Sequence, residues 1–443
     1  MMSRTKLLIA FSLLALQVTA QDKRPITLNE AIHLGIKNSK QLMTSQAKIE
    51  EATAALKEAL NNQLPDAKLA GSYLWLSSAN VDMKIKSSGG SGGGGGTVPT
   101  VSKAGYAIAN ASVPVFAGGR IRYGIEASRF LEQATRLDAD NDREQVIQNT
   151  IEAFVNLYKA KASVSLVQEN LAEAQQRVKD FSNLEKNGLL ARNDLLSAQL
   201  QASNFELGLL DAENNWKLAN VSMNILLGLP ENLELVPDSS MVNESFSVKT
   251  LNEYLQTAYA NRKDLAALDF RKKASESSIK SSKGDYYPSL AVTGGYIAAD
   301  IPEVISITNA LNIGVGVSYN IGSLWKTKAK VQQAEARAKQ AAIGESQLND
   351  NIRLDVNHSY LNFLSSQKKI EVYEKAVEQA VENYRIVKNK YNNSLATTTD
   401  LLDANTKQLL ERMNLIFAKA DAVVAYNKLL EAAGLLDENT KQQ

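Results

Sequence analysis

Two helical patterns of nearly seventy residues, each running out to a short polar tip and back, limit what this chain can fold into. The first holds almost unbroken from about Arg120 to Lys186, and the second from about Trp325 to Lys390. At about 1.5 Å per residue, ~67 residues reach about 100 Å. A helix of that length needs lateral partners along its whole extent. The tips read Asn187-Gly188-Leu189-Leu190-Ala191-Arg192-Asn193-Asp194-Leu195-Leu196 and Asn393-Ser394-Leu395-Ala396-Thr397-Thr398-Thr399-Asp400-Leu401-Leu402. They lie 206 positions apart, as Asp194 and Asp400 show. Asn and Gly tolerate the left-handed backbone that ends a helix, and Ser, Thr and Asn cap the next one.

The repeat extends beyond the tips. Leu28-Asn29-Glu30 is answered by Leu251-Asn252-Glu253, Asn38 by Asn261, Pro65 by Pro288 and Tyr73 by Tyr296, each 223 positions on. The offset falls to 206 by the tips, and most of that loss lies between the strands, where the second half lacks the glycine run. Each half holds a helix, a strand pair, a very long helix, a tip and a return helix. The expected parts are a signal peptide over 1–20, a first repeat over 21–230, a linker over 231–250 and a second repeat over 251–443. The first helix is expected from Leu28 to Asn62, with Pro65 ending it. The return helices carry seams at three- and four-residue spacing, Leu195, Ala198, Ala202, Phe205 and Leu209 in the first. In the second, Leu402, Leu409, Ile416, Val423 and Leu430 recur by sevens.

Strands are expected from Asp66 to Leu76 and from Ala104 to Phe116. A second hairpin turns near Asp300 to Asn309. In its last strand Ile313, Val315, Val317, Tyr319 and Ile321 share one face, and Gly314, Gly316, Ser318 and Asn320 the other. That alternation suits a lipid-facing sheet with a wet inner side. Four strands cannot close alone and lipid does not tolerate an open sheet edge, so copies must join; three would supply about twelve strands. Tyr73, Trp75, Tyr106, Tyr286, Tyr287, Tyr296 and Tyr319 are either ordinary strand aromatics or an interfacial girdle.

Composition removes most other classes. There is no cysteine, hence no thiol nucleophile, disulfide framework, Cys-based zinc site or acylated N-terminal Cys. The two histidines, His33 and His358, have no second His three or four residues away, so no metal and no cofactor is expected. The run from Ser88 to Gly96 lacks a Gly-Lys-Ser/Thr ending, and Gly314-Val315-Gly316 lacks the following Gly, so neither is a nucleotide site. A net charge of +1 leaves no footprint for nucleic acid. Arg4, Lys6, the apolar run Leu7 to Leu16 and Val18-Thr19-Ala20 read as a secretory signal with cleavage before Gln21. An exported chain without spanning helices is a soluble periplasmic protein or an outer-membrane β-barrel. The soluble alternative is a coiled-coil adaptor.

The duplicated plan, the stretch Val113-Pro114-Val115-Phe116-Ala117-Gly118-Gly119-Arg120 and the Asn187-Gly188-Leu189-Leu190 tip with Asp194-Leu195-Leu196 resemble the TolC family of outer-membrane efflux proteins. The resemblance covers essentially the whole mature chain. It implies an α+β, mainly α fold: a homotrimer with a twelve-stranded transmembrane β-barrel, a long periplasmic α-barrel and a mixed equatorial region. It further implies no enzymatic activity and a passive exit duct for efflux or type I secretion. The duct would dock onto a periplasmic adaptor and an inner-membrane pump of the RND, ABC or MFS type. Tyr391, Asp400 and Asp403 match the family's periplasmic gate. Gly188, Leu189, Leu190, Asp194, Ser394 and Leu395 match the region that meets the adaptor. Where the best-known member has a gate arginine this chain has Ala396, and Ser197 stands opposite Asp403 in the repeat. Acids in a helix's first turn also serve its positive end, and exposed leucines also staple hairpin turns; the residues alone leave both roles open.

Overall fold

The computed structural model describes residues 23–79, 101–243, 246–302 and 305–437. The expected signal segment and the glycine run lie outside them. In chain order the elements are β1 (Lys23–Ile26), α1 (Leu28–Asn38), α2 (Lys40–Asn61), β2 (Asp66–Ala79), β3 (Val101–Ala117), α3 (Arg120–Lys186) and α4 (Arg192–Leu227). There follow β4 (Glu234–Pro237), α5 (Leu251–Asn261), α6 (Lys263–Lys283), β5 (Ser289–Ile301), β6 (Ile305–Ser318), α7 (Ser323–Asn392) and α8 (Thr398–Ala432). The chain divides into two compact units, and each half of the repeat supplies segments to both.

One unit gathers residues up to Ala47, Leu137–Ala266 and the chain from Ser346 onward. Its largest core buries Ile147, Ile151 and Phe154 from the first half beside Ile352, Val356 and Phe363 from the second. β1 and β4 form a small parallel sheet, Lys23 opposite Glu234, which sets Ile26 and Leu235 into that core. Neither strand was expected, and four residues carry too little pattern to announce a strand.

The expected single helix from Leu28 to Asn62 is broken. Ser39 takes an extended conformation (ψ 117°) after Asn38, and Arg262 does the same (ψ 124°) after Asn261. Each break receives the end of a return helix. Gly228 (φ 68°) closes α4 and Gly434 (φ 67°) follows α8, both left-handed. Asn38 Nδ2 donates to Leu227 O at 2.6 Å, and Arg262 Nη1 donates to Ala432 O at 3.2 Å. A Cβ on Gly228 would lie 3.0 Å from the Asn38 Cβ, and one on Gly434 would lie 3.0 Å from the Arg262 nitrogen. The carbonyl ends of both return helices are thus satisfied by the residue that breaks, or precedes the break in, the first helix.

Beyond this core the helices are held by smaller clusters. Leu166, Leu171, Ala174, Phe205 and Leu409 form one, and Phe181, Leu195, Ala198, Tyr384, Leu401 and Ala404 another.

The other unit holds the sheet, with strand order β2-β3-β5-β6, all antiparallel. The two outer strands have free edges among the described residues. Strands of 14 residues reach about 46 Å at ~3.3 Å per residue, enough to cross a bilayer when tilted. Leu69, Leu311, Ile313 and Val315 point outward, each more than 70% exposed. β6 ends at Ser318, so Tyr319 and Ile321 lie past the strand. There Asn320 turns the chain, its Oδ1 accepting from Gly322 N at 3.0 Å. The expected loop near Asp300 to Asn309 is shorter, since β6 starts at Ile305. Asn309 (φ 58°) sits inside β6, opposite the register shift between Ile297 and Ala299. The Gly118-Gly119 pair turns β3 into α3 through two left-handed residues. Gly118 also presses on Gly284, where a Cβ would meet the carbonyl oxygen at 2.2 Å.

Glu144 on α3 is 6% exposed. Burial first, then the carboxylates of Asp437 and Glu431, push its pKa up to about 7, against the pull of Lys263 and Arg262. A folded-state value above the unfolded one favours the fold at low pH. That contribution is lost as pH rises from about 4.5 through 7. Glu144→Gln should melt like the parent at pH 5 and resist unfolding better at pH 8, by on the order of 1–3 kcal/mol. Equal differences at the two pH values would contradict the assignment.

Candidate functional site at the hairpin tips

The tips belong to the first unit and are built alike. In tip one, Gly188 (φ 71°) ends α3, its N–H donating to Glu185 O at 2.9 Å and the Leu189 N–H to Leu184 O at 2.8 Å. In tip two, Ser394 (φ 59°) ends α7, its N–H donating to Tyr391 O at 2.9 Å and the Leu395 N–H to Lys390 O at 2.8 Å. Both are Schellman turns. The left-handed residue in tip two is therefore Ser394, not one of the asparagines beside it. Leu189 and Leu395 stand 73% and 75% exposed at the apices, so neither staples its own turn. Leu190 turns inward against the cluster around Phe181.

The return helices start differently. Ala191 caps α4 without a side-chain bond, and Asp194 only donates its N–H to Ala191 O at 3.1 Å. Thr397 caps α8 through a reciprocal box. Its Oγ1 accepts from the Asp400 N–H at 3.2 Å, while its own N–H and hydroxyl donate to Asp400 Oδ2 at 2.9 and 2.7 Å. The Thr397 side chain and backbone bonds hold the Asp400 carboxyl below the ordinary carboxylate range. Asp400 thus has a structural role within one chain. Asp403, one turn on, is exposed. Tyr391 stacks on Phe181 of the first hairpin, ring centres 5.7 Å apart, with its hydroxyl 3.5 Å from Thr398 Oγ1. Ala396 is half-buried.

The residue that ties the hairpins together was not among those expected. Arg177 on α3 donates to Tyr384 on α7 at 2.9 Å, to Gln201 on α4 at 3.2 Å and to Asn405 on α8 at 3.3 Å. Gln201 in turn donates to Leu402 O at 3.1 Å. One guanidinium therefore joins all four helices just above the tips. The available signal was Asn405, a polar residue inside the leucine seam of α8 and 1% exposed; such a residue fixes helix register. No group of metal-ligating side chains and no helix able to cross a membrane occurs among the described residues.

Residues 31–229 and 254–435 match the outer membrane efflux protein family. The chain belongs to that family. The two matched blocks are separated by residues 230–253. The outer membrane efflux protein BepC of Brucella suis is 21% identical over 91% of this chain and 90% of its own. The alkaline protease secretion protein AprF of Pseudomonas aeruginosa is 23% identical over 72% of this chain and 66% of its own. The outer membrane protein VceC of Vibrio cholerae superposes with a TM-score of 0.77 at 19% identity, covering 92% of this chain and 96% of that one. This member of the family is an outer-membrane efflux component of TolC type, and the soluble adaptor reading is set aside.

Ser394 carries a side chain in a conformation that disfavours one by about 1 kcal/mol. Ser394→Gly should slow amide exchange at Leu395 about fivefold and leave Leu189 unchanged. Faster exchange at Leu395 would show that the serine stabilises its turn.

Proposed function

We propose that three copies of this chain assemble into a passive exit duct that performs no covalent chemistry. The carrying observation is a run of apolar side chains left uncovered on the hairpin helices. Leu200, Leu207, Leu218 and Ile225 on α4 are each more than half exposed, as are Leu354, Leu361 and Val372 on α7. Surface of that kind at helical spacing calls for neighbouring helices. The open edges of the four-stranded sheet support the same reading, because a lipid-exposed sheet must close on itself.

In this assembly Tyr391, Asp400 and Asp403 face the periplasmic entrance, and the acids form rings that favour cations. The capping box fixes the Asp400 carboxylate at the tip and leaves Asp403 exposed. Adaptor contact falls to Gly188, Leu189, Leu190, Asp194, Ser394 and Leu395, of which the two apex leucines offer the largest apolar surface. Opening is a shift of the hairpins biased by the adaptor. Among the relatives, AprF is named for alkaline protease secretion and BepC for efflux.

Asp400→Ala combined with Asp403→Ala should lower cation preference and alter single-channel conductance in planar bilayers; unchanged selectivity would remove the acids from the entrance. Leu189→Glu combined with Leu395→Glu should abolish efflux-dependent resistance at an unchanged outer-membrane protein level. Resistance at the parental level would move the docking surface elsewhere.

A further inference from the structure

A polar cavity of about 420 Å³ lies in the sheet unit where β6 passes into α7. One wall is the first two turns of α7, with Ser323, Lys326 and Lys330; the other carries Arg120 and Asp285. Three cations therefore face one carboxylate. Asp285 is already shared, accepting from Arg120 Nη1 at 3.1 Å and from Lys330 Nζ at 2.5 Å. Among the described residues Lys326 makes no ion pair. Ser323 is 9% exposed, and its Oγ has no hydrogen-bond partner. A buried hydroxyl left unpaired costs about 1–3 kcal/mol, so this position calls for an acceptor from outside the chain. The positive end of a 70-residue helix adds to the same demand.

The rim indicates the source of that acceptor. Tyr287, Trp325 and Ile321 are 60%, 66% and 65% exposed beside the cavity, and the bare apolar face of β6 begins at Val317. Aromatic side chains with a polar site at one end and an apolar sheet at the other mark the headgroup level of a membrane. We propose that this cavity binds the phosphate of a membrane phospholipid. Ser323 donates to a phosphate oxygen, Lys326 supplies the unpaired charge, and the acyl chains lie along β6. The proposal rests on the outer-membrane location and is independent of the tip gate.

The test is native mass spectrometry of the full-length protein, delipidated in detergent, with three probes: dioleoyl phosphatidic acid, dioleoylglycerol with the same tails, and inorganic phosphate. Phosphatidic acid should be retained by the parent and at least fivefold less by Ser323→Ala and by Lys326→Gln. Dioleoylglycerol should be poorly retained by all three, and excess inorganic phosphate should not displace the lipid. Lys326 is exposed, so its variant folds and carries the test even if Ser323→Ala does not. Equal retention by parent and Lys326→Gln, or equal retention of dioleoylglycerol, overturns the site. Displacement by inorganic phosphate overturns the lipid as its source.

Discussion

Helices of 67 and 70 residues expose more apolar surface than a single chain of this plan can cover, and the remaining architecture follows from that mismatch. Where both halves converge, the helices meet a true core, with Phe154 and Phe363 fully buried. Toward the tips the packing thins to clusters of five or six side chains, while leucines on the opposite faces stay bare. The same incompleteness holds in the sheet, whose outer strands lack neighbours among the described residues. Both features support the proposed assembly for the same physical reason: apolar surface must leave water, and backbone groups in lipid must be paired.

The duplication was legible because it constrains several levels together. Offsets of 223 and 206 pointed to matching elements, and the matching extends to the bonds. Asn38 and Arg262 cap the return helices at equivalent joints, and Gly228 and Gly434 take the same left-handed turn. The long helices and the apolar alternation of β6 were equally plain, since period and length carry them. The break at Ser39 was not, because Asn38 and Ser39 fit a helical pattern and are set apart only by the return helix that docks there. The same holds for Arg177. A lone arginine on a polar helix face has no sequence mark until Tyr384, Gln201 and Asn405 are brought around it.

The two tips show how a repeat diverges in chemistry while keeping its shape. Tip one has the easier turn residue, Gly188, and an uncapped return helix at Ala191. Tip two has the strained Ser394 and the full Thr397–Asp400 box. Free energy given up at one end of the turn in one copy is recovered at the other end. The Asp400 carboxylate of the second tip is thus ordered by bonds within its own chain, while Asp403 stays exposed.

The most direct measurement is the mass of the intact detergent-solubilised particle with the detergent contribution removed. The account predicts three chains per particle, converting to single chains only on heating in denaturant. Monodisperse single chains with intact helix content would contradict it, since the leucine faces and both sheet edges would then be stable without neighbours.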